Sequence, residues 1–429
     1  MGLSALQNAR AALEGRCSCR MVTLGALSTA SPHSPRQLRG GKRVVSSASG
    51  STGRGQERML AVTAERYGAS PLESLKAAEL PCPHAGPGQL VVSVGACSLS
   101  PGDGRALLGE KCAFTGRPGS GPYIPAGDVA GTVVEVGPKV DSTFRVGDRV
   151  AATWAAWGQG GLAEFIVVRA AYAARIPDAV DLEQAACLAN SAGHAVAMVQ
   201  ESGIAKLGGA PGATSPRVLV LGGTGGLGSA LLALLKGGLI TGVPAHVTAT
   251  GTDTQLLTHL GADVALDYRT EDWATCGPYD AVFDCAEGVA AWRRGRGALR
   301  RGGTWVAAVA STWELLATKW FHLFGILLPP LGRVLASCLP WSPHRYVMHL
   351  DGPNGKTLAA VLVLAAAGKL TALVDSVHPL TVAGAVQAFD VLLSRRAKGK
   401  VLLVADKARL RRGDSLADLY GDATRLKEE

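Results

Sequence analysis

This chain is short of charge, of grouped metal ligands and of unbroken apolar runs. Asp, Glu, Lys and Arg make up 18% of its 429 residues, and hydrophobic residues make up 47%. That balance excludes global disorder and provides for a sizeable core. Nine cysteines stand at 17, 19, 82, 97, 112, 187, 276, 285 and 338. None forms a CxxC pair, and HxxH and HExxH are absent. The clustered thiolate and imidazole ligands of a structural zinc site are therefore missing. Scattered single cysteines suit a reducing compartment. The longest apolar region, 320–341, is interrupted by Pro329, Pro330, Gly332 and Arg333. It is too broken for a simple membrane span. Two readings of it stay open: a buried helix pair and loop over a cleft, or a lid or membrane-surface patch that admits a lipophilic substrate.

Acid is scarcest at the start. Residues 1–56 hold eight Arg and Lys against Glu14 alone. The rest of the chain holds 35 basic and 33 acidic residues, so the net charge of +9 belongs mostly to this segment. Nucleic-acid binding thereby loses its support. An Arg-rich, Ser-rich, acid-poor start without a long apolar stretch reads as an organellar transit peptide, not a secretory signal. A disordered tail is the alternative. Leu6 stands where a myristoylation signal needs Ser or Thr. The expected address is the mitochondrion, with the plastid as alternative.

The most informative stretch is RVLVLGGTGGLG, 217–228. A continuous apolar run from Val218 to Leu221 predicts a buried parallel strand. Gly223, Gly225 and Gly228 follow at GxGxxG spacing, and SALLALLK after them predicts a helix. Strand, glycine turn and helix together predict a dinucleotide site, with the diphosphate on unpaired N–H groups at the helix start. An ordinary glycine turn is the plain alternative. Further strands are expected over 246–250, 261–268, 279–286 and 302–310, separated by helical segments. This alternation predicts a doubly wound α/β sheet. The acidic residue expected about 20 residues past the fingerprint, on the ribose hydroxyl, is not at the strand end. Thr250, Gly251 and Thr252 stand there instead. Hydroxyls can donate to a 2′-phosphate that a carboxylate would repel, which favours NADPH over NADH. Asp253, just beyond, points the other way.

Between 59 and 175 the pattern changes to short alternating strands at 89–97, 130–137, 148–153 and 163–169, separated by turn signals. This predicts a small all-β, barrel-like module. A helical stretch over 183–200 leads from it toward the nucleotide unit.

The segments SLSPGD (98–103), IPAGDVAGTVVEVG (124–137), FRVGDRVAA (144–152) and GLAEFIVV (161–168), with the fingerprint, resemble the medium-chain dehydrogenase/reductase superfamily, in its zinc-free quinone oxidoreductase branch. The resemblance implies a GroES-like β-barrel domain built from both chain ends, plus a Rossmann domain inserted between them. The implied layout is a transit segment over 1–56, a catalytic unit over 57–188, an NADP-binding unit over 189–350, a return to the catalytic unit over 351–407 and a polar tail over 408–429. Zinc-dependent relatives place a Cys near Ser100 and Gly-His-Glu where this chain reads Gly127, Asp128 and Val129. With neither ligand present, a Lewis-acid alcohol dehydrogenase is disfavoured. The branch has Asn-Pro-x-Asp where Ser100, Pro101, Gly102 and Asp103 stand. Asp103 is kept, and the orienting amide becomes a hydroxyl. His194 replaces a Thr near the nicotinamide, either as a partly buried histidine at a helix start or as a proton donor. By motif position, Thr224, Gly225, Gly226 and Leu227 meet the diphosphate, and Gly223 and Gly228 belong to the same cofactor-binding turn. Thr250, Thr252 and Tyr268 lie near the 2′-phosphoribose and adenine, and Cys285 and Ala308 near the ribose and nicotinamide. Lys398 supplies a cation close to the cofactor, or belongs to a solvated loop.

The expected activity is hydride transfer from NADPH to a quinone or an α,β-unsaturated carbonyl, with a small-molecule substrate, no metal, no nucleic acid and no transmembrane span. Contact with a membrane surface and a homodimer are left open. Two alternatives remain: an enoyl-thioester reductase, and a nucleotide-binding scaffold that has lost turnover.

Overall fold

The computed structural model describes residues 58–64, 70–108, 123–153, 160–207, 215–308, 322–349 and 352–405. The 1–56 and 408–429 segments lie outside the described residues. The first unit contains β1 (Arg58–Ala64), β2 (Leu75–Pro81), β3 (Gln89–Leu99), the short helix α1 (Pro101–Leu107), β4 (Asp128–Val136), β5 (Arg149–Ala152), β6 (Phe165–Arg169) and β7 (Ala173–Arg175). β1 and β2 form an antiparallel pair of their own. The other five strands, with two more from the end of the chain, build a seven-stranded sheet on β3, whose inward residues Leu90, Val92, Val94 and Cys97 are buried in one core cluster. The alternating pattern of 89–97 is thus a buried central strand that runs two residues further than expected.

Next comes α2 (Leu182–Ser202), capped by the Asp181 carboxylate, which accepts from the Gln184 N–H. Ala185, Ala186, Ala189, Ala192 and Ala195 are buried along it. Small side chains let it pack closely on β3 and β4 and also on the nucleotide unit. The boundary expected at 188/189 therefore falls inside one unbroken helix, because α2 belongs to both cores.

The nucleotide unit follows as β8 (Arg217–Leu221), α3 (Gly226–Lys236), β9 (His246–Gly251), α4 (Thr254–His259), β10 (Val264–Asp267), β11 (Tyr279–Asp284), α5 (Val289–Gly295), β12 (Leu299–Ala307), α6 (His322–Ser337) and β13 (Arg345–Met348). Its six strands lie in the order β10-β9-β8-β11-β12-β13, all parallel. The order reverses direction between β8 and β11, and ligands of such sheets sit outside the strands' carboxyl ends at that point. β12 starts at Leu299 and ends at Ala307, earlier than the expected 302–310, and 309–310 lie outside the described residues.

The chain then returns through α7 (Gly355–Ala366), which packs on α2 and β7. β14 (Val374–Pro379), α8 (Val382–Leu393) and β15 (Lys400–Val404) complete the first unit. β15 pairs antiparallel with β3, Val401 against Leu99. The GroES-like unit is thus closed by the end of the chain, and β15 and the turn before it bring Lys400 and Lys398 to the nucleotide unit.

Candidate active site

The glycine turn after β8 fits a dinucleotide. A Cβ on Gly228 would sit 2.2 Å from the Gly222 carbonyl, so helix and turn meet there only through glycine. Gly225 caps α3 without any side-chain acceptor, which leaves first-turn N–H groups for an anion. Gly223 is buried, and Thr224, Gly225, Gly226 and Leu227 are half-buried along this edge. A Cβ on Gly226 would lie 2.7 Å from Cδ of Lys400, so the stem of a cationic side chain from the other unit passes over the helix start.

The carbonyl and hydroxyl of Thr250 accept from the N–H groups of Gly223 and Gly222 at 2.8 and 3.2 Å. Thr250 is buried. Its hydroxyl therefore props the glycine turn. Thr252 is exposed beyond it, and Tyr268 is exposed after β10 beside Arg269. Asp253 caps α4 by accepting from the Leu256 N–H, and its second oxygen lies 2.7 Å from Nζ of Lys398. Those two bonds, the lysine first, hold its carboxyl below the usual carboxylate range. Lys398 thus reaches the expected ribose end of the site. Cys285 and Ala308 are half-buried against the nucleotide core, at the carboxyl ends of β11 and β12. Burial first, and then the Asp284 charge, push the Cys285 thiol up.

Ser100 and Asp103 belong to a hydrogen-bonded cluster at the start of α1. Asp103 accepts from the Ser100 N–H at 2.7 Å as the third-position acid of a capping box whose N-cap is Ser100. Ser100 Oγ donates to Asp128 Oδ2 at 2.9 Å. Thr153 Oγ1 and Asn190 Nδ2 donate to the other oxygen at 2.8 and 3.1 Å. Lys400 Nζ completes the cluster, 3.0 Å from Ser100 Oγ and 3.4 Å from Asp128 Oδ2, with both charged side chains at least 94% buried. A buried carboxylate with three neutral donors and an ammonium is fully engaged. The sequence named Ser100 and Asp103 but missed Asp128, Asn190 and Lys400 as partners. Their one signal was Asp128 standing where metal-binding relatives have histidine. Among the described residues no group of three or more His, Cys, Asp or Glu side chains converges as a metal site requires.

His194 lies on α2 one turn beyond Asn190, half-buried, with Nδ1 2.7 Å from Nε2 of His349. His349 follows β13, and its N–H donates to the Ala307 carbonyl at the end of β12.

Residues 86–178 match the alcohol dehydrogenase GroES-like domain, and 260–403 match the zinc-binding dehydrogenase family. The chloroplast envelope quinone oxidoreductase homolog of Arabidopsis thaliana is 29% identical over 345 residues, 78% of this chain and 94% of that protein. The chain belongs to the medium-chain dehydrogenase/reductase superfamily. It is an oxidoreductase. The mitochondrial NAD(P)H oxidoreductase RTN4IP1 of Danio rerio is 33% identical over 230 residues, 50% of this chain and 55% of that protein. The quinone oxidoreductase of Coxiella burnetii shares the fold, with a TM-score of 0.65 and 20% identity, over 81% of this chain and 99% of that one. In this superfamily member the glycine turn, Asn190 and His194 of α2, and Lys398 and Lys400 all lie at the junction of the two units.

Proposed function

We propose that the protein is an NADPH-dependent, zinc-independent reductase of quinones or α,β-unsaturated carbonyls. The observation that carries this reading is the buried cluster of Lys400, Ser100, Asp128 and Asn190. Where zinc-dependent relatives place metal ligands, a fixed ammonium stands between a hydroxyl and a carboxylate. It supplies the positive charge that Asp128 needs and would oppose a second, divalent cation. The bound cofactor supplies the hydride from its nicotinamide. The chain's own residues bind, orient and move a proton. The α3 N-terminus holds the diphosphate, with the apolar stem of Lys400 passing over it. Lys398, paired with Asp253, offers a cation to the 2′-phosphate, and Thr252 adds a hydroxyl. His194 gives the reduced substrate its proton.

The relatives are chloroplastic or mitochondrial by name, and the Arg-rich 1–56 segment supports import into the mitochondrion. A fusion of residues 1–60 to a reporter should enter that organelle.

The decisive experiment combines cofactor titration, quinone turnover and elemental analysis of the purified protein. NADPH should bind more tightly than NADH, and quinone should be reduced at full rate after chelation. One firmly held zinc per chain, with activity lost on its removal, would overturn zinc independence. Binding of NADPH without turnover of any quinone or enone would leave only a nucleotide-binding protein.

A further inference from the structure

A second polar chain reaches the carboxyl end of the nucleotide sheet. Oε2 of Glu201, at the last turn of α2, lies 2.9 Å from Nδ1 of His349. Nε2 of His349 lies 2.7 Å from Nδ1 of His194, two turns earlier on α2. The two imidazoles meet edge to face at 86°, with centroids 4.9 Å apart. The His349 side chain is 4% exposed and that of Glu201 17%. Arg345 Nη1 donates to the Glu201 carbonyl at 3.0 Å and braces the end of the helix.

The order of donors follows from chemistry. An ionised carboxylate only accepts, so Nδ1 of His349 carries a hydrogen. With His349 neutral, its Nε2 is an acceptor, and Nδ1 of His194 must donate to it. One carboxylate thereby dictates the tautomers of two rings in series, as a buried carboxylate does for a catalytic imidazole elsewhere.

We infer that Glu201 and His349 are positioning residues for His194, holding its ring and its Nδ1–H tautomer so that Nε2 handles the transferred proton. The inference rests on His194 being the proton donor proposed above. After reduction the substrate oxygen carries a negative charge. The Nε2–H bond of protonated His194 breaks and an O–H bond forms on the substrate. Neutral His194 is left with Nδ1–H on His349, and a proton from water restores the starting state.

The test labels the histidines of the full chain with 15N and reads their tautomers from long-range imidazole spectra, with H194Q assigning the His194 signals. Wild-type His194, in its neutral form, should be the Nδ1–H tautomer. His349→Phe keeps a ring but removes the acceptor. It should mix the His194 tautomers and lower kcat by about tenfold or more, with the quinone KM and the NADPH Kd within about twofold of wild type. Glu201→Gln should shift both readouts in the same direction and by less, since the amide can still accept. A wild-type Nε2–H tautomer at His194 would overturn the inference, and that measurement needs no variant to fold. So would unchanged tautomer and kcat in His349→Phe. If H194Q keeps full kcat while the tautomers behave as described, the donor reading itself fails, and the positioning role falls with it.

Discussion

Asp284 closes β11 with its carboxylate fully buried, and burial lifts its pKa from 3.8 to about 7. The N–H groups of Ala286 and Glu287, bonded to Oδ1 at 3.2 and 2.9 Å, pull it back only part of the way. A carboxyl whose folded pKa is raised binds a proton that the unfolded chain has lost. Its contribution is therefore intact below pH 4 and is lost as pH rises through about 7. Asp284→Asn keeps the acceptor oxygen and removes the charge. It should be more stable than wild type at pH 8 by roughly 1–4 kcal/mol, and the gap should vanish toward pH 4. Urea titrations at both pH values check this, and equal stabilities at pH 8 would refute it. The Lys400–Asp128 pair makes the opposite demand. Lys400→Met strands a buried carboxylate and should cost about 3–5 kcal/mol. Asp128→Asn in the same chain should recover part of that. A double-mutant cycle with coupling below about 0.5 kcal/mol would show that the two charges ignore each other. Asp128 stood out in the sequence only by replacing a metal-binding histidine and Lys400 not at all, because burial and partner are set by strands about 270 positions apart.

At the scale of elements, the glycine turn and α3 were legible from spacing alone, since the turn is local and Gly228 is demanded by the Gly222 carbonyl six residues back. Thr250 shows the limit of such reading. A hydroxyl at a strand end can face a ligand or the turn beneath it, and only the pairing of β9 with β8 decides which. Thr252 keeps the exposed place. Thr252→Asp should repel a 2′-phosphate and reverse a preference for NADPH, shifting the ratio of the two dissociation constants by about tenfold or more. Isothermal titration with both cofactors decides it, and an unchanged ratio would mean that Thr252 lies outside the site. In the 320–341 region, 320–321 lie outside the described residues. Residues 322–337 form one helix, α6, with both prolines inside it, and turns follow over 338–341. It packs on β13 through Arg333 and Ser337. Leu328, Leu331 and Leu335 are 56, 40 and 61% exposed along it, and Trp341 beyond it is 73% exposed. Apolar surface of this kind gains roughly 25 cal/mol per Å2 when covered. Changing the three leucines to Gln should leave stability within about 0.5 kcal/mol, because they are already in water. Turnover of long-tailed quinones should fall more than that of short soluble ones. An equal effect on all quinones would assign the stripe some other role.

At the scale of the whole molecule, among the described residues no helix is long and apolar enough to cross a membrane. The two units are tied by α2, by the Lys398–Asp253 ion pair and by Lys400 lying over Gly226. Every one of these ties joins residues distant in the chain. What the sequence by itself determined was local and periodic. It set the glycine turn, the apolar run of β8, the alternation of β3, the span of α2 within two residues and the class of fold, since each depends on neighbours a few positions away. Motif resemblance added the family and the return of the chain end to the first unit. The tertiary structure alone decided which polar side chains meet. It brought Lys400 to Asp128, engaged Asp103 as a helix cap, turned Thr250 under the glycine turn and lined up Glu201, His349 and His194. Hydrogen bonds need atoms within about 3 Å and carry no period along the chain, so sequence spacing cannot announce them.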